Sequence, residues 1–134
     1  LICFETLHPK EVRAVVNRGA DLLVAITNDA WFGRSNMPWQ HLGLSVMRAI
    51  ETRRSVVRSA NTGVSALIDP LGQVVSRTGL FEETVLAGEV PLCEEKSVYS
   101  RVGDVVLWLD YALSALILAW VAIVSARAPS PESR

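Results

Sequence analysis

Leu22-Leu23-Val24-Ala25-Ile26-Thr27-Asn28-Asp29 decides how this chain folds. Its apolar opening has the length of a strand, and a run without alternation suits a strand covered on both faces, as in a parallel sheet. Upstream, residues 9–18 carry Val12, Val15 and Val16 at helical spacing, with Pro9 at the start and Gly19 just past the end. Before that, Leu1-Ile2-Cys3 is an apolar lead-in that reads as a further strand. Strand, helix and strand at this spacing form a βαβ unit, and chemistry in such sheets gathers at the carboxyl ends of the strands. Cys3 and Thr27-Asn28-Asp29 both fall there, so two neighbouring strand ends are expected to face one site.

Downstream, Asn28-Asp29-Ala30-Trp31-Phe32-Gly33 puts two large aromatics in a loop. They either cap the sheet or wall a substrate site beside Cys3. Residues 39–53 read as a helix with Leu42, Val46, Ala49 and Ile50 on one face. Arg48 and Glu51, one turn apart, are expected to pair on its surface for about 0.3 kcal/mol. His41, near the helix start, is expected to be a structural hydrogen-bonding group. Short strands follow over residues 56–60, 64–68 and 73–76, with Asp69-Pro70-Leu71-Gly72 making a type I turn between the last two. Residues 84–90 are expected to add a strand, and these strands to form a layer distinct from the βαβ part. The stretch from Pro91 to Arg101 reads as a polar linker, with Glu94-Glu95-Lys96 beside Cys93 as a solvated charge run.

Residues 105–126, VVLWLDYALSALILAWVAIVSA, are apolar on all faces and about as long as the ~20 residues needed to cross a bilayer. Asp110 interrupts the run near its amino-terminal end, and Trp108, Tyr111 and Trp120 suit interfacial positions. A buried soluble helix is the competing reading. Asp104 precedes the run and Arg127 and Arg134 follow it, which puts the tail in the cytoplasm and the globular part on the outer side.

The length of 134 residues suits one domain, and a net charge of −1 argues against a nucleic-acid partner. The chain opens within an expected strand and without methionine, as an amino-terminally truncated piece would. Two cysteines are too few for a disulfide scaffold, although Cys3 and Cys93 could pair, and no Cys/His spacing suggests a metal site. Cys3 is the candidate nucleophile, since a thiolate is the strongest side-chain nucleophile, but it needs a positive or basic partner. None stands near it in sequence, so a buried structural cysteine is the alternative.

Taken in order, Ile2-Cys3-Phe4-Glu5, the Asn28–Gly33 loop, Pro38-Trp39-Gln40-His41, Arg48-Ala49-Ile50-Glu51, Asn61-Thr62-Gly63-Val64-Ser65 and Asp69-Pro70-Leu71-Gly72 resemble the carboxyl-terminal half of a carbon–nitrogen hydrolase (nitrilase-like) domain. The Asn-Asp-Ala-Trp-Phe-Gly stretch, followed by Gln-His and a terminal span, resembles the bacterial apolipoprotein N-acyltransferase family. The resemblance implies an α/β fold, the second half of an αββα sandwich followed by one transmembrane helix. Residues 1–90 would be the end of the hydrolase domain, 91–104 a linker, 105–126 the transmembrane helix and 127–134 a cytoplasmic tail.

It also implies a Glu-Lys-Cys triad, of which only the cysteine maps here, onto Cys3; the other two lie upstream in the family. Glu5 matches a carboxylate adjoining the nucleophile, Phe4 stands where tyrosine is expected, and Lys10 stands where glutamate is common. Asn28, Trp31 and Phe32 match a substrate-binding loop. The implied activity is transfer of an acyl chain from phospholipid, through a cysteine thioester, to the terminal amine of an apolipoprotein, with no metal or cofactor, in the bacterial inner membrane. The chain by itself is then expected to be inactive. Competing readings are a soluble nitrilase-like amidase and a non-catalytic, membrane-anchored domain.

The apolar run generates a direct test. Alkaline carbonate washing should leave the chain in the membrane pellet, and a reporter fused after Arg134 should read cytoplasmic. Release into the supernatant would establish the soluble-helix reading instead.

Overall fold

The computed structural model describes residues 1–127, so the expected tail lies outside the described residues from position 128 onward. The described residues fall into two units, the first running from Leu1 to Gly103 and the second beginning at Asp104.

The first unit is built on one four-stranded sheet, β1 (Leu22–Asn28), β2 (Ser55–Asn61), β3 (Ala66–Ile68) and β4 (Val74–Arg77), in that spatial order. Helix α1 (Pro9–Asn17) precedes β1, and α2 (Met37–Thr52) carries the chain from β1 to β2. The crossover makes β1 and β2 parallel, Leu22 opposite Ser55 through to Asn28 opposite Asn61. Strands β2, β3 and β4 are antiparallel neighbours. The expectation of two layers is therefore corrected: β2 belongs to the parallel pair on one edge and to the hairpin on the other, and one sheet results. Residues 84–90 form no strand. The amino-terminal lead-in pairs with β1 through a single parallel bridge, Ile2 to Ile26, backed by an Ile26 N–H to Leu1 carbonyl bond of 3.0 Å.

One face of the sheet carries the core. Val12 and Val16 of α1, Leu42 and Ala49 of α2, and Leu23, Ala25, Val56, Ala66 and Ile68 of the strands form one buried cluster. Strand alternation sends Val24 and Ile26 to the opposite face, where they are 49% and 56% exposed. The unbroken apolar run of β1 led us to expect cover on both faces, and within this unit only the helical face has it.

The β3–β4 turn follows its sequence. The Gly72 N–H bonds the Asp69 carbonyl at 3.0 Å, and the Asp69 carboxylate accepts from Leu71 and Gln73. Gly72 takes a φ of +83°, and a Cβ there would stand 2.5 Å from the Ile50 side chain.

The stretch expected as a free linker is instead held on the first unit. Arg54, buried beside β2, donates to the carbonyls of Ala20, Glu94 and Glu95. Ser55 donates to the Pro91 carbonyl, and Ser97 donates to the carbonyl of Glu51. Helix α3 (Val98–Val102) follows, with the Ser97 hydroxyl accepting from the Ser100 N–H. Its last carbonyls are taken by Arg13, which reaches Tyr99, Ser100 and Arg101, and by Asn17. These arginines answer the unpaired carbonyls that a loop and a helix end leave behind. Arg48 is also corrected: it bonds Glu51 at 3.0 Å but is itself buried, so the pair is not a surface feature.

The second unit holds α4 (Val105–Arg127), 23 residues or about 35 Å at 1.5 Å per residue. Its segment Val105–Ser125 has a mean hydropathy of 2.0 and is long and apolar enough to cross a membrane. Trp108 and Tyr111 meet edge-to-face near its start.

Arg54→Leu should free residues 91–97 without unfolding the sheet. Hydrogen exchange over that stretch should rise about tenfold, matching the loss of charge-assisted bonds, while β1 and β2 keep their protection. Unchanged exchange would show that the segment is held by other contacts.

Candidate active site

Cys3 sits where the amino-terminal bridge to β1 ends and a 3-10 turn, Cys3–Leu7, begins. Its φ is +50°, a left-handed conformation that costs an L-residue of this kind on the order of 1 kcal/mol and persists only where the surroundings fix it. Three hydrogen bonds surround it. The Glu5 carboxylate accepts from the Ile2 N–H at 2.7 Å, and the Glu5 N–H returns to the Ile2 carbonyl at 3.1 Å. The Thr6 hydroxyl reaches the Cys3 carbonyl at 3.3 Å. Glu5 thus stands two residues from Cys3 in sequence and spends its carboxylate on the backbone of the turn. The thiol is free and half-buried, with the Thr27 hydroxyl 3.7 Å from its sulfur. Cys93, also free, lies apart on the 91–97 segment.

Beneath Cys3 lies a buried polar cluster centred on Asp29, which is 1% exposed. Asp29 Oδ1 accepts from His41 Nδ1 at 2.9 Å and stands 3.1 Å from Thr27 Oγ1. Asp29 Oδ2 accepts from Arg58 at 2.8 Å. Arg58, 2% exposed in the middle of β2, also donates to the Val64 carbonyl and the Ser45 hydroxyl. Burial pushes the Arg58 guanidinium down from its ordinary value; the negative charge of Asp29 and its hydrogen bond oppose that push. Gly63 packs against this cluster, and a Cβ there would fall 2.4 Å from Asp29 Oδ2. The Asn-Thr-Gly motif therefore works by letting the backbone approach a carboxylate.

Both aromatic segments converge on His41. The Phe4 ring stacks on it at 5.9 Å and the Phe32 ring meets it edge-on at 6.3 Å. Trp31 is 74% exposed and so does not cap the sheet. Asn28 turns its side chain to its own loop, accepting from the Ala30 N–H at 3.1 Å and from Asn61 at 3.4 Å. The loop is further tied by Arg34, whose guanidinium lies 4.9 Å above the Phe81 ring.

The structure thus brings Cys3, Phe4, Glu5, Asn28 and Phe32 to one end of the sheet, as expected from the strand ends. Sequence reasoning placed His41 as a hydrogen-bonding group, which it is, but missed Asp29, Arg58 and Thr27 as its network. The available signal was an arginine inside an apolar strand, Val56-Val57-Arg58, which demands a buried acid. Among the described residues no cluster of metal-ligand type is present.

A half-buried thiol held at positive φ at the end of the sheet is a candidate nucleophile. The chain belongs to the carbon–nitrogen hydrolase family, which matches residues 1–98. More narrowly, it is similar to proteins named apolipoprotein N-acyltransferase. It is 50% identical to that of Geobacter metallireducens over 89% of this chain and 23% of the relative. It is 46% identical to that of Bradyrhizobium diazoefficiens over 87% of this chain and 22% of the relative. The chain therefore spans about a quarter of the length of these relatives. A Nesterenkonia amidase from the nitrilase superfamily is similar in structure, with a TM-score of 0.49 and 24% identity over 60% of this chain and 32% of that one.

Arg58→Met should destabilise the chain by about 3–5 kcal/mol, because it leaves the Asp29 charge buried without its main partner. Adding Asp29→Asn should recover part of that loss. Denaturant unfolding of the single and double variants measures both, and purely additive losses would show that the two residues are not coupled.

Proposed function

We propose that this chain is the nucleophile-bearing carboxyl-terminal part of an apolipoprotein N-acyltransferase, with Cys3 as the catalytic residue. The observation that carries the reading is the half-buried thiol held at φ +50° at the end of the sheet, in a chain 50% identical to one enzyme of that name over 89% of its length. Cys3 Sγ attacks the ester carbonyl of a phospholipid; the acyl chain stays on sulfur as a thioester and the lysophospholipid leaves as an alcohol, taking a proton. The amine of an apolipoprotein's diacylglyceryl-cysteine then attacks the thioester, an amide forms, and the thiol is regenerated. Two steps let one sulfur serve two large lipid substrates in turn.

Phe4 and Glu5 support the nucleophile, Phe4 through the His41 ring and Glu5 through the backbone of the turn. Trp31, Phe32 and Asn28 form the substrate loop, in which the exposed Trp31 ring offers acyl chains an apolar surface. Helix α4 tethers the domain to the bacterial inner membrane, where both lipids reside, with the domain on the outer side and the tail from residue 127 in the cytoplasm. A soluble amidase would have no use for such a helix. The general base and the oxyanion-stabilising lysine of the implied triad come from sequence outside this chain, so residues 1–134 alone are inactive.

In the complete enzyme, Cys3→Ser should abolish the acyl adduct, since an alkoxide is far harder to form than a thiolate. Mass spectrometry after incubation with phospholipid reads this directly. An adduct forming on the serine variant at the wild-type rate would refute the assignment, as would triacylated lipopeptide made by residues 1–134 alone.

A further inference from the structure

We infer that Thr27 is a positioning residue, whose hydroxyl holds the Cys3 sulfur in its attacking orientation. The inference rests on the reading of Cys3 just given. Thr27 is buried at the carboxyl end of β1, with Oγ1 3.7 Å from Cys3 Sγ and 3.1 Å from Asp29 Oδ1. A hydroxyl carries one proton and serves one acceptor at a time. Asp29 does not depend on that proton, because His41 Nδ1 supplies Oδ1 at 2.9 Å and Arg58 supplies Oδ2 at 2.8 Å. When sulfur carries negative charge, the Thr27 proton turns to it and no buried acceptor is left unserved.

The carboxylate cannot follow the hydroxyl. Gly63 packs against Oδ2, and Arg58 is anchored by Val64 and Ser45. The β-branched Thr27 side chain is itself stiff about χ1. On the other side, His41 Nε2 stands 3.3 Å from Thr6 Oγ1, which stands 3.3 Å from the Cys3 carbonyl. The polar groups thus run in series from the sulfur of Cys3 through Thr27, Asp29 and His41 to Thr6, whose single proton serves either His41 Nε2 or the carbonyl of Cys3. A residue held at positive φ is gripped at its backbone and its side chain by one network. Thr27 is the member that touches sulfur.

The test uses the full chain in detergent with Cys93→Ser, so that Cys3 is the only thiol. Alkylation by iodoacetamide at fixed pH reads the sulfur independently of lipid chemistry. Thr27→Val should slow alkylation about tenfold, the scale of one hydrogen bond to a charged group, and Thr27→Ser should restore it to within about twofold. Should the valine variant fail to fold, Thr27→Ala takes its place, since it adds no bulk. A wild-type alkylation rate in a folded Val or Ala variant would overturn the inference. So would a slow Ser variant, which would trace the effect to the methyl group. In the complete enzyme, Thr27→Val should lower kcat with KM unchanged, and equal changes in both would count against a positioning role. Normal alkylation behaviour with no acyl transfer by the complete enzyme would instead refute the acyltransferase reading and leave the Thr27 assignment standing.

Discussion

The buried pair of Asp29 and Arg58 is the constraint on which the active end of this molecule depends. Two charges taken from water cost several kcal/mol each, and their attraction repays this only when every remaining donor and acceptor is also used. Here the remainder is used: Arg58 spends its other nitrogens on a loop carbonyl and a helix hydroxyl, and Asp29 spends its second oxygen on His41. The pair ties three elements. Arg58 belongs to β2, Asp29 to the loop after β1, and Ser45 and His41 to α2. A shift of any of them against the others would strand a charge in the core, so the cluster enforces the crossover geometry that the apolar contacts permit.

That constraint also explains which parts of the fold could be read in advance. Helix α1, strand β1 and the Asp69–Gly72 turn follow from local rules: apolar spacing, a proline at a helix start, a glycine where φ is positive. Placing Cys3 and Asp29 at adjacent strand ends needed only the strand–helix–strand pattern. The rest depended on partners distant in sequence. Arg58 interrupts an apolar strand and so calls for a buried acid, but its strand does not say that Asp29, 29 positions earlier, supplies it. Arg48 reads as a surface residue because its helical neighbour Glu51 answers its charge, although the body of the side chain is buried.

The single sheet and the held segment before α4 were hidden for the same reason. Strand β2 pairs with β1 across the whole of α2, and nothing in its own seven residues says whether its other edge is taken. Arg54 is one of two adjacent arginines at the end of a helix, and local spacing cannot reveal that it reaches carbonyls 40 and 41 residues away. Periodicity reports which face of an element is apolar. It is silent about polar groups satisfied by backbone from elsewhere, and those bonds turned an expected linker into part of the unit.

His41 connects the two halves of the candidate site. Its ring lies between Phe4, next to Cys3, and Phe32, in the aromatic loop, while its nitrogens are held by Asp29 and Thr6. A ring bonded at both nitrogens resists rotation, so the planes on which Phe4 and Phe32 rest are fixed by the Asp29 cluster. The exposed Trp31 is next in sequence to Phe32, in the short turn Ala30–Phe32. Rigidity therefore falls off outward, from the ion pair to the imidazole, to the inner aromatics and finally to Trp31. Under the acyltransferase proposal, a thiol that must meet a carbonyl in one geometry would sit at the rigid end of that series. Under the same proposal, the surface offered to acyl chains of varied shape would sit at the loose end.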